Sequence, residues 1–160
     1  HLPLRAKHRP LVLIGPGTGL APLRGFCYRR EAWKAKKAEL GECHLYFGCR
    51  RSTHDFIYKE ELEGFAEENI LSEVVAAFSR EGPEKVYVQH KLLETGDVIL
   101  ETIKNGGYIF ICGDAAGMAK DVEEALVSIL CTPAGGFKEQ GARDELERMT
   151  KMGKYIKDVW

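Results

Sequence analysis

The stretch "LVLIGPGTGLAPLRGF", Leu11 to Phe26, decides the reading of this chain. Aliphatic residues run straight into Gly15, Gly17 and Gly19, and the glycines run straight into a segment with helical spacing. A strand, a glycine turn and a helix start in that order offer unbonded backbone N–H groups, and glycine allows positive φ and close approach of a ligand. The ligand that suits them is a dinucleotide, with its pyrophosphate at the helix start. The spacing is G-x-G-x-G, and Ala21 stands where the GxGxxG fingerprint has its third glycine, so a glycine turn without a ligand stays open on this motif alone.

Working outward, short apolar runs recur at "HLYFGC" (His44 to Cys49), "EVVAAF" (Glu73 to Phe78) and "YIFICG" (Tyr108 to Gly113). Near-continuous runs of this kind suit strands buried on both faces of a parallel sheet. "YIKDVW", Tyr155 to Trp160, is a candidate fifth strand, preceded by a loop at "TPAGGF" and a helix near Ala142 to Met152. Helical spacing appears over "APLRGFCYRREAWKAKKAEL" (Leu23, Phe26, Cys27, Arg30 and Trp33) and over "IYKEELEGFAEE" (Tyr58, Leu62, Phe65 and Ala66). It appears again at Val98, Ile99, Thr102 and Ile103, and at Met118, Val122, Ala125, Leu126 and Ile129. The alternation predicts a doubly wound, Rossmann-like α/β domain: a five-stranded, mostly parallel sheet with helices on both faces.

Bulk properties narrow the function. A chain of 160 residues, 44% hydrophobic, is expected to form one domain over 1–160. A formal charge of -1 gives no field that would draw nucleic acid, so an anionic ligand must be met by a local basic cluster. Cys27, Cys43, Cys49, Cys112 and Cys131 are odd in number and contain no CxxC pair, which argues against a disulfide framework and against a zinc site. The histidines show no metal spacing; His44 inside a strand and His90 inside an apolar helix read as structural. No Walker A motif and no G-x-S-x-G is present, which weakens phosphotransferase and hydrolase readings. No stretch has the roughly 20 uncharged apolar residues of a spanning helix. The chain opens on His1 rather than Met and reaches its first strand by Leu11, as a piece of a longer polypeptide would, with 1–9 as a linker.

In a doubly wound sheet, ligands sit at the carboxyl ends of the strands. Here those ends read "GPGTG", "GCRRS", "SREG" and "CGDAAGM". An NAD site would place Asp or Glu after the second strand; this chain has Arg50 and Arg51 there, and Ser79, Arg80 and Lys85 after the third. Guanidinium and hydroxyl donors suit a 2′-phosphate, which favours NADP over NAD. Each arginine alone reads as solvated surface charge; their grouping at adjacent strand ends carries the argument. Cys112, beside Gly113 and Asp114, reads alone as a buried small hydrophobe, and Met118 and Asp121 read as core and first-turn residues.

The segments "GPGTGLAPLRGF", "YFGCRRSTHDFIYKEEL", "AFSREGPEKVYVQHKLLE", "YIFICGDAAGMAKDV" and "YIKDVW" together resemble the NADPH-binding domain of the diflavin reductases, the NADPH–cytochrome P-450 reductase-like branch of the ferredoxin–NADP reductase superfamily. The resemblance covers nearly all of the chain from Arg9 onward. It implies that Thr18 and the glycines lie near the nicotinamide and pyrophosphate, and that Arg50 approaches the phosphates. It implies that Ser79, Arg80, Lys85 and Tyr87 hold the 2′-phosphate with Gln89 alongside. Cys112 and Asp158 would assist hydride transfer to the flavin, and Trp160 would stack on it and swing aside. The same resemblance implies FAD and FMN on domains outside this sequence, a haem or iron–sulfur electron acceptor, and a place in the cytoplasm, or on the cytosolic face of the endoplasmic reticulum if the full-length chain has an N-terminal anchor; a monomer is expected. A two-domain ferredoxin- or flavodoxin–NADP reductase and a non-catalytic NADP sensor are the alternatives.

Overall fold

The computed structural model describes residues 8–17, 21–49 and 58–159. The aliphatic run at the start becomes β1 (Leu11–Pro16), followed along the chain by the strands β2 (Cys43–Cys49), β3 (Glu73–Phe78), β4 (Tyr108–Gly113) and β5 (Tyr155–Val159). Between them lie α1 (Ala21–Ala35), α2 (Lys59–Glu67), α3 (Val88–Glu94), α4 (Gly96–Lys104), α5 (Met118–Leu130) and α6 (Glu139–Lys151). The strand order is β3-β2-β1-β4-β5 and every pairing is parallel, so the sheet is wholly rather than mostly parallel. The chain winds outward from β1 to β3 and then returns to β4 on the other side. This reversal opens a crevice at the carboxyl ends of β1 and β4.

Each face of the sheet has its own core. Leu23 and Cys27 of α1 and Leu62 and Phe65 of α2 cover Leu13, Leu45, Phe47 and Phe110. On the opposite face α3 to α6 cover Val12, Ile14, Tyr46, Ile109 and Ile111. Both faces are covered, which is why β1 and β4 read as unbroken apolar runs. Burial of each of these large side chains is worth about 1.5–3 kcal/mol. Arg30, on the apolar side of α1 as its spacing requires, is 2% exposed and donates to the carbonyls of Ile70 (2.9 Å) and Gly41 (2.7 Å), tying α1 to the loops at the amino edge.

Several boundaries differ from the sequence expectation for local reasons. The first helix stops at Ala35 instead of running on to Leu40, because the chain turns at Lys37 with φ 62° and Ala38 N–H bonds back to Trp33 O. The apolar segment holding His90 is two helices meeting at Thr95, whose hydroxyl contacts both Lys91 O (3.0 Å) and the Tyr46 hydroxyl (2.7 Å). His90 itself is exposed; its Nδ1 accepts a hydrogen bond from Tyr87 N–H (2.9 Å) and closes the first turn of α3. His44 is buried, its Nε2 3.3 Å from Glu42 and its Nδ1 3.6 Å from Glu73. Among the described residues, no helix is long and apolar enough to cross a membrane.

Candidate functional site

At the carboxyl ends of β1 and β4 the backbone of Gly15 is packed by neighbouring side chains. A Cβ on Gly15 would lie 2.8 Å from Cys112 Sγ and 2.8 Å from Leu23 Cδ1. Gly15 does not adopt positive φ, so its requirement is space rather than backbone freedom. Gly113 is held by its backbone: its φ is 151°, and the nearest atom to a Cβ there is the movable Met118 Cε at 2.7 Å. Gly17 is buried at the end of the described part of this turn.

On the α3 and α5 side of this edge lies a cavity of about 660 Å³, lined by Ser79, Tyr87, Gln89, Met118 and Asp121 together with Cys49. Ser79 is fixed at the end of β3 by its N–H bond to Cys49 O (2.9 Å). Tyr87 and Gln89 flank the start of α3, and Met118 and Asp121 lie in the first turn of α5. Asp114 shapes the turn into α5: its Oδ1 accepts from Ala116 N–H (3.2 Å) and its carbonyl from Ala119 N–H (3.0 Å). The start of α5 thus faces the cavity, where the helix dipole favours an anion and the Asp121 carboxylate opposes one.

The structure thus brings together five of the residues singled out in the sequence. Arg80 and Lys85 are exposed on the segment between β3 and α3, whose two ends line the cavity, but they are not among the lining residues. Thr18, Gly19, Arg50 and Trp160 lie outside the described residues.

The opposite side of the edge differs in chemistry. Cys112 has no exposed surface and stands in register with Asp158 on the neighbouring strand. Burial, with a smaller contribution from the Asp158 charge, pushes its thiol up to about 11. At neutral pH it is therefore a neutral thiol, able to donate a proton or hydrogen bond but not a ready nucleophile. Asp158 is exposed and lines a second hollow of about 560 Å³ with Phe110, Ile156, Phe26 and Arg29. The rings of Phe26 and Phe110 meet edge to face at 5.0 Å in its floor. Sequence reading missed this hollow and the Cys49 wall of the cavity. The available signal for the hollow was strand alternation, which puts Phe110, Cys112, Ile156 and Asp158 on one face.

A family model described as "Oxidoreductase NAD-binding domain" matches residues 13–124. The chain is 39% identical to the NADPH–cytochrome P450 reductase of Aspergillus niger, covering 100% of this chain and 24% of that protein. It is 40% identical to the NADPH–cytochrome P450 reductase of Homo sapiens, covering 99% and 23% of the two chains. It is 45% identical to the bifunctional cytochrome P450/NADPH–P450 reductase 1 of Bacillus subtilis, covering 94% and 14%. The chain spans less than a quarter of the length of these relatives.

Proposed function

The chain belongs to the oxidoreductase NAD-binding domain family, and from that premise we propose that it is an NADP(H)-binding domain that holds NADPH for hydride transfer to FAD within a diflavin reductase. In that enzyme FMN passes the electrons on to a haem or iron–sulfur protein. The observation that carries this reading is the cavity at the carboxyl edge, where Ser79, Tyr87 and Gln89 face the start of α5.

The residues fit the ligand in chemistry and in space. Ser79 and Tyr87 offer hydroxyl donors, and Arg80 and Lys85 on the adjoining exposed segment offer the charge that a 2′-phosphate needs. The glycine turn, with Thr18 and Arg50, serves the pyrophosphate. Gly15 and Gly113 let Cys112, Leu23 and Met118 pack against the backbone at the edge between the cavity and the hollow. FAD, when bound, supplies the acceptor of the hydride. On this chain's side, the neutral Cys112 thiol orients the reacting ring, Asp158 stabilises positive charge that develops on it, and Trp160 covers the reacting face until the nicotinamide enters. A sensor would need only the phosphate contacts; the register of Cys112 with Asp158 beside a hollow favours the reductase.

Calorimetric titration with 2′,5′-ADP and with 5′-AMP tests the reading. Binding of the first at least tenfold tighter than the second is expected, since a charge-assisted phosphate contact is worth about 1.5–3 kcal/mol. Equal binding of the two, or none of either, would refute it.

A further inference from the structure

β5 is an edge strand: in the order β3-β2-β1-β4-β5 it pairs with β4 alone among the described strands. Its amino end is well held. Ile109 N–H donates to Lys154 O (2.8 Å), and Tyr155 is 2% exposed in the core beneath α5 and α6. Its carboxyl end, Lys157 to Val159, is exposed, and Asp158 stands there in register with Cys112.

Side chains alternate along a strand, so Tyr155 and Lys157 face α5 while Ile156 and Asp158 face the α1 side. One carboxylate receives both residues on the α5 face. Glu123 Oε1 accepts from the Tyr155 hydroxyl at 3.0 Å and from Lys157 Nζ at 3.2 Å, and the ammonium lies 5.3 Å from the centre of the Tyr155 ring. Burial first, and then the Glu123 charge, raises the Tyr155 phenol, which keeps it a donor. Arg143 of α6 lines the same cleft but is bound to Glu124 (3.0 Å) and Glu139 (3.1 Å) instead. As an ion pair the contact adds little to stability, since the Lys157 and Glu123 side chains are 40% and 36% exposed. Its place gives it a different use. Met118 and Asp121 of α5 line the cavity and Glu123 follows in the same helix, so the helix that walls the cavity also grips the strand that carries Asp158.

We propose that Glu123 is a positioning residue for Asp158: by receiving Tyr155 and Lys157 together it holds the carboxyl end of β5 against α5 and keeps Asp158 opposite Cys112. This rests on the NADP(H) reading above. Glu123 touches no substrate; it acts through the two side chains that flank Ile156 on the strand.

The test uses the intact, flavin-loaded protein. The bond from Ile109 N–H to Lys154 O sets the parallel ladder so that the Asp158 N–H points toward β4, and its hydrogen exchange therefore reports opening of that end of the strand. Glu123→Ala, alone and with Tyr155→Phe to remove the stranded hydroxyl, should speed exchange at Asp158 about tenfold while Leu13 of β1 exchanges as in the parent. Flavin reduction by NADPH, followed by stopped flow, should slow about fivefold, with 2′,5′-ADP affinity within about twofold of the parent. Glu123→Gln, whose amide oxygen still accepts from both partners, should keep both rates within about twofold of the parent. Parent-like exchange at Asp158 in both Ala variants would overturn the proposal, and so would faster exchange with an unchanged rate of flavin reduction. Exchange that rises at Asp158 and Leu13 alike would also overturn it, by making Glu123 a contributor to global stability only. A parent that fails to bind 2′,5′-ADP would bring down the NADP(H) reading itself, and the inference with it.

Discussion

The two hollows flanking the carboxyl edge of the sheet are built from different parts of the fold. The cavity on the α3 and α5 side takes its polar residues from loop ends and helix starts, with Arg80 and Lys85 exposed beside it. The hollow on the α1 and β5 side has the core as its floor: Phe110 is 3% exposed and belongs to the same buried cluster as Leu13, Leu45 and Phe47. The difference teaches where binding and stability can be separated. At the cavity they can, because its charged groups carry little packing. At the hollow they cannot.

The largest expected effect follows from that contrast. Phe110→Ala removes a buried ring and its contact with Phe26, and should lower the unfolding free energy in a urea titration by about 3–5 kcal/mol. A loss below about 1 kcal/mol would mean that the hollow's floor is not part of the core.

Alkaline pH sharpens the comparison next. Cys27, Cys43 and Cys112 all belong to the cluster under α1 and α2, and burial is the first cause of the raised position of each thiol; Cys43 and Cys112 reach about 11 from an ordinary value of 9.0. Above pH 9 the unfolded chain gives up these protons while the folded chain keeps them. The folded state then binds more protons, so stability falls as pH rises from about 9 to 11, by about 1.4 kcal/mol per pH unit for each thiol, and is insensitive to them below pH 9. Cys→Ala variants in this cluster should flatten the slope in denaturation curves taken at pH 8, 9 and 10.

Arg80→Ala addresses the cavity. It should weaken 2′,5′-ADP about thirtyfold, or about 2 kcal/mol, while leaving the melting temperature unchanged. A matching fall in stability would break the claim that this side separates binding from packing. His90→Ala should have the smallest effect, about 0.5–1 kcal/mol, through the lost bond from Tyr87 N–H that closes the first turn of α3.

What the sequence disclosed, and what it hid, follows from range. Four strands were legible because each is an apolar run ended by Gly, Ser or Arg, while the fifth, with Lys157 and Asp158 in it, was only a candidate; the strand ends pointed to the candidate site because a doubly wound sheet binds there. The helical faces were legible from spacing, even for Arg30, whose burial looks improbable for its type until its carbonyl partners are seen. The early stop of α1 was hidden, since Lys34 to Leu40 contains no Pro or Gly and the turn at Lys37 uses a left-handed residue that any reading would pass over. The bonds from Tyr155 and Lys157 to Glu123 were hidden because the partners stand 32 and 34 residues apart and meet only once α5 and β5 pack together. Gly15 was singled out for positive φ and for close approach of a ligand; its φ is not positive, and the crowding by Cys112 and Leu23, which depends on three elements at once, was hidden.

The central claim is that one dinucleotide spans the edge, its phosphate-rich end in the cavity and its nicotinamide end at the hollow. Amide chemical-shift mapping tests it most directly, with 2′,5′-ADP titrated first and NADP+ second. The account predicts that 2′,5′-ADP shifts Ser79, Arg80, Gln89 and Asp121 and leaves Ile156 and Asp158 in place, whereas NADP+ shifts both groups. Shifts at Ile156 and Asp158 with 2′,5′-ADP alone, or none at Ser79 and Gln89 with either ligand, would contradict it.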